Sequence, residues 1–125
     1  MEYYPSVDDD EKYTQIIAPW FLNALNKMSN SKTSVRVRKM DVFDKASKAH
    51  LGGFRGDKKQ FENYVGKKGS RDYSNLIDMV VDSLVDKGFV RHAVNPAEIT
   101  ITQEGVDMCN TESETGWHVS DYPVD

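Results

Sequence analysis

Between positions 73 and 88 the chain keeps one spacing without a fault. Tyr73, Leu76, Ile77, Val80, Val81, Leu84 and Val85 recur at three- and four-residue steps, and Gly88 closes the run. That period places all seven on one face of a helix, and a glycine just past the last of them is the usual helix stop. Two β-rich runs follow, "FVRHAV" and "EITIT", joined through Asn95 and Pro96. Both joining residues favour turns, so the segment reads as a hairpin. Helix, stop and hairpin in direct succession restrict the chain to the α+β class.

The rest of the chain fits around this unit. In "EKYTQIIAPWFLNALNKM", Tyr13, Ile16, Ile17, Trp20, Phe21, Ala24, Leu25 and Met28 follow helical spacing. Pro19 falls inside that helix, which must either kink there or become regular only from about Ala18. In "SNSKTSVRVRK", Val35 and Val37 alternate with Arg36 and Arg38, the pattern of a short strand. Val42, Phe43, Ala46, Ala49 and His50 predict a helix of about ten residues ended by the glycines of "LGGFRGD". Phe61, Tyr64 and Val65 predict a short helix over 58–65, and Ser70 is a candidate N-cap for the helix over 71–87. Thr102 is placed to cap a last helical turn in "QEGVDM". The expected division is an acidic tail over 1–10, one domain over 11–109 and a second acidic tail over 110–125, with Trp117 and Tyr122 as docking points.

Composition narrows the setting. A chain of 125 residues that is 38% hydrophobic is sized for one core. The single cysteine, Cys109, rules out an internal disulfide and a thiolate zinc site, and points to a reducing compartment. No apolar run is long enough to span a membrane, and "MEYYPSVDDDEK" lacks the basic start and apolar stretch of a signal peptide. The expected location is the cytoplasm. The net charge of -4 conceals a segregation, because residues 27–91 hold fifteen Lys and Arg against eight Asp and Glu, whereas 92–125 has seven acids and no Lys or Arg. A basic middle between acidic ends suits a surface that meets a polyanion, and a solvated surface of mixed charge produces the same pattern.

The helix ending "LVDKGFV", the hairpin and the sequence "ITITQEG" together resemble the second half of winged helix-turn-helix proteins, including repressors of the multiple-antibiotic-resistance type, over about residues 58–108. "SRDYSNLIDMVVDSLVDKGFVRHAV" is also similar to the DEP domain, a winged-helix relative that binds proteins and membranes. The first resemblance implies a winged helix with a leading amphipathic helix and a C-terminal hairpin wing, acting on double-stranded DNA as a transcriptional regulator. It implies a helix-turn-helix made of 58–65, the turn "GKKGS" and a recognition helix over 71–87. Arg71, Ser74 and Asn75 would then face base edges, and Lys67 and Lys68 would meet phosphates. Arg36, Arg38, Lys59 and Arg91 would add phosphate contacts. A homodimer through the first helix is a further expectation.

Two features of the residues pull the other way. Asp78, Asp82 and Asp86 recur every four positions as an acidic stripe that a phosphate backbone would repel, and the hairpin tip "VNPAE" carries no base. The alternative is a protein-interaction module on the same scaffold, such as a viral or plasmid factor that binds a host protein. Nothing in the residue pattern suggests an enzyme or a cofactor. His50, His92 and His118 are scattered without metal-pair spacing, "GGFRG" lacks the lysine and hydroxyl of a phosphate loop, and Cys109 reads as a small buried hydrophobe.

Overall fold

The computed structural model describes residues 7–52 and 74–124, with side chains over 11–49 and 76–124. Helix α1 spans Val7–Met28, strand β1 Val37–Arg38 and helix α2 Lys39–Gly52. Helix α3 spans Ser74–Asp86, followed by strands β2 (Val90–His92) and β3 (Glu98–Ile101) and helix α4 (Gln103–Asn110). The fold is therefore α+β, with helices packed on a small antiparallel sheet of strand order β1-β3-β2. The helix predicted over 58–65 and the Ser70 cap lie outside the described residues.

Helix α1 is not amphipathic in its second half. Every residue from Ile17 to Asn26 is buried, nearly three turns with no solvent face. A helix covered on all sides is a core helix, and α2, α3, α4 and β3 all pack against it. Ile17, Phe21, Leu22 and Leu25 lie fully inside, each contributing about 1.5–3 kcal/mol by burial. The chain runs through Pro19 as one helix. The proline removes a single donor, and the carbonyl it would have bonded belongs to Gln15, an exposed residue within reach of water.

The remaining side of α1 is covered by the segment after α4. Asn23 Nδ2 donates to the Trp117 carbonyl at 3.0 Å, and Lys27 Nζ donates to the Val124 carbonyl at 2.9 Å. Tyr122 meets Trp20 edge-on with centroids 5.5 Å apart, and Trp117 meets Phe89 at 5.6 Å. The two aromatic docking points of the acidic C-terminal stretch thus hold it on α1 and on the start of the hairpin. The apolar positions of α1 that suggested a dimer seam are covered by the chain itself.

One junction fixes the hairpin against the helices. Gly88 takes φ +80 and turns the chain out of α3, and Phe89 N donates to the Leu84 carbonyl at 2.9 Å. Thr102 caps α4 as its sequence position predicts, Oγ1 accepting from Gly105 N at 3.0 Å, and the same hydroxyl donates to the Gly88 carbonyl at 2.6 Å. Thr102 N also donates to the Phe89 carbonyl at 3.0 Å. Gly105 lies so close beneath that strand entry that a Cβ there would overlap the Phe89 carbonyl oxygen and stand 2.9 Å from Ile101 Cγ1.

Two glycines therefore fail for different reasons. Gly88→Ala meets no neighbour within 4 Å and costs only its left-handed backbone, about 1–2 kcal/mol. Gly105→Ala collides with backbone and should cost more, about 2–3 kcal/mol, so chemical denaturation should rank Gly105→Ala below Gly88→Ala. Cys109 gives a third expected outcome. It is fully buried, and loss of hydration pushes its thiol up to about 12. A thiol reagent at about pH 8 should modify the folded protein at a rate set by unfolding, and the denatured protein at once; equal rates in both states would contradict this burial.

Candidate nucleic-acid interface

The sheet sorts its side chains by the alternation of strands. Val37 pairs with Ile99, Ile99 with His92, and Val90 with Ile101; Val90, Ile99 and Ile101 are buried against the helices. Arg38 pairs with Glu98, and Arg91 with Thr100, on the opposite, outer face. Arg36 precedes β1 by one residue and shares the parity of Arg38, so the same register sets it beside Thr100. The outer face thus reads Arg36, Thr100, Arg91 in one row and Arg38, Glu98, Ala93 in the next.

Helix α3 runs alongside the hairpin, and its direction follows from two contacts. Lys39, the first residue of α2, donates from its backbone to the Ala97 carbonyl at 3.0 Å, and its Nζ reaches Asp78 Oδ1 at 2.9 Å. His92 Nε2 lies 3.7 Å from Asp82 Oδ1 one turn further along. Asp78 is therefore near the hairpin turn and Asp86 near its root, so α3 begins at the turn end of the sheet. The hairpin turn itself is pinned by Asn95. Its carbonyl accepts from Glu98 N at 3.0 Å, and its Oδ1 accepts from Ala97 N at 2.9 Å.

These contacts revise the electrostatics of α3. In the stripe Asp78, Asp82, Asp86 the first member is paired with a lysine from the β1–α2 junction, and His92 of β2 lies beside the second. Nothing in the sequence marks Lys39 and His92 for this task, because the register that brings them to α3 is tertiary. Two further lysines are also engaged, Lys48 of α2 with Asp44 at 3.0 Å and Lys87, just past α3, with Ser83 Oγ at 3.2 Å. Arg36, Arg38 and Arg91 are exposed and, among the described residues, make no ion pair or side-chain hydrogen bond.

Of the residues for which the winged-helix resemblance implies DNA contact, Arg36, Arg38 and Arg91 lie on the outer sheet face. Ser74 and Asn75 open α3 at the turn end. Lys59, Lys67, Lys68 and Arg71 lie outside the described residues. Among the described residues no three His, Cys, Asp or Glu side chains gather as a metal ion would need, and no helix is long and apolar enough to cross a membrane. Comparison with known protein families, with characterised proteins and with solved structures found no match.

Proposed function

We propose that this chain is a winged-helix protein that binds double-stranded DNA and regulates transcription. One observation carries the reading: α3 starts at the same end of the sheet as the hairpin turn, so a helix start and a wing are delivered to one edge of the molecule. A duplex seated on that edge receives the first turn of α3 in its major groove, with Arg71, Ser74 and Asn75 toward base edges and Lys67 and Lys68 toward phosphates. The partial positive charge of a helix start favours the same placement. Lys39 opposes the charge of Asp78, which weakens the repulsion that the acidic stripe alone would exert at the start of α3.

A protein-interaction module is the competing reading, and the exposed apolar groups favour it. Val94 at the hairpin tip is 99% exposed and Met40 at the start of α2 is 62% exposed, both at the turn end of the sheet. The two readings part on a single titration. Labelled duplex DNA followed by fluorescence anisotropy should be bound at micromolar or lower concentration, with affinity falling steeply as salt rises. Arg71→Ala should cost about 1–3 kcal/mol on the preferred sequence and little on others. An equal loss on every sequence would remove Arg71 from base reading, and no binding at low salt would leave the protein-interaction module.

A further inference from the structure

We infer that the outer face of the sheet is a second DNA-contacting surface, separate from the α3 and wing edge, which grips the phosphate backbone of a duplex without reading its sequence. The inference rests on the DNA-binding reading and adds to it where a distinct share of the affinity resides. All three arginines of the described residues stand on this face, and none is paired among those residues. The described lysines of α2 and of the end of α3, other than Lys45, each have a partner. Among the described residues the guanidinium groups are thus concentrated on one face.

Their spacing fits a backbone. Arg36, just before β1, and Arg38 within it stand two residues apart, about 7 Å, and the register sets Arg36 two strands from Arg91, about 10 Å. A triangle of that size presents three planar forks to successive phosphate oxygens, and the guanidinium group suits bidentate contact with them. Glu98 lies beside the triangle and opposes an anion, and its pairing position opposite Arg38 lets that arginine offset it. The partner's class follows from what the face lacks. Thr100, Ala93 and Glu98 fill the remaining positions, so there is no aromatic ring among them on which an unstacked base could lie. Phosphates alone are offered a contact, and a duplex supplies them at higher density than a single strand.

The experiment compares the full chain with Arg36→Ala/Arg38→Ala/Arg91→Ala and with the corresponding triple lysine variant, on duplexes of unrelated sequence and on single strands. All three positions are exposed, and matching thermal melts would show that the fold is kept. The alanine variant should lose about tenfold or more in affinity at low salt, equally on every duplex. Its slope of log affinity against log salt should fall by about 2.7, for three contacts at about 0.9 each. The lysine variant should keep most of the slope. An unchanged slope in the alanine variant overturns the inference while leaving the DNA-binding reading intact. Tighter binding of single strands than of duplexes overturns the duplex assignment. A wild-type chain that binds no duplex at low salt removes both.

Discussion

The structure depends on a helix with no outside. Ten consecutive residues of α1 are buried, and a fully enclosed helix must be surrounded by other elements on every side. Three sides are supplied by α2, by α3 and by the sheet with α4. The fourth is supplied by residues 111–124, a segment with no regular structure of its own that is fastened by two side-chain bonds from α1 and two aromatic contacts. Asn23 shows why this cover is specific. Its Nδ2 donates to the Pro19 carbonyl within the helix and to the Trp117 carbonyl across the gap, so both hydrogens of a buried amino group are used and the second sets the position of the segment, while the buried Oδ1 accepts no hydrogen bond among the described residues.

A second constraint joins the scaffold to the proposed interface. The Gly88 carbonyl, the Phe89 carbonyl, the Thr102 hydroxyl and Gly105 meet at one junction, where the end of α3, both hairpin strands and the start of α4 come within hydrogen-bonding range. Because a threonine cap and a glycine approach lock this root, the hairpin cannot pivot on α3 without breaking backbone bonds. At the opposite end Lys39 ties β1 and α2 to the hairpin turn and to Asp78. A hairpin held at root and turn presents the outer face of its sheet as a rigid surface, which lowers the entropy lost when a ligand is bound there.

The parts legible in the sequence are those set by local rules. The period of α3, its glycine stop, the Asn95–Pro96 turn and the Thr102 cap are all consequences of neighbouring residues, and each appears where those residues place it. The burial of α1 is legible only in part, because Asn23 and Asn26 break its apolar period while being nearly as buried as the leucines beside them. The ordered course of 111–124 is illegible for a related reason: no periodicity is needed by a segment that borrows its order from another helix. The alternation of Val35, Arg36, Val37 and Arg38 reveals a strand, yet its partner could not be named from spacing alone. Pairing with β3, about half the chain length away, sets Val37 opposite Ile99, and this is what brings Arg38 to the face that also carries Arg91.

That pairing explains how a chain of net charge -4 can present a cationic face. Exposed ion pairs contribute little to stability, about 0–1 kcal/mol each, so Lys39 with Asp78 is not what holds the fold. The acids of α3 lie on the helix side of the sheet, within reach of Lys39 and His92, the arginines lie on the outer side, and a screening length of about 8–10 Å at physiological salt keeps the two sides from cancelling. An anion approaching the outer face meets three unpaired guanidinium groups and one carboxylate, and the acidic residues that dominate the total charge lie mostly elsewhere on the chain. Net charge is then a poor guide to the partner, since the local balance on each face decides which ligand is drawn to it.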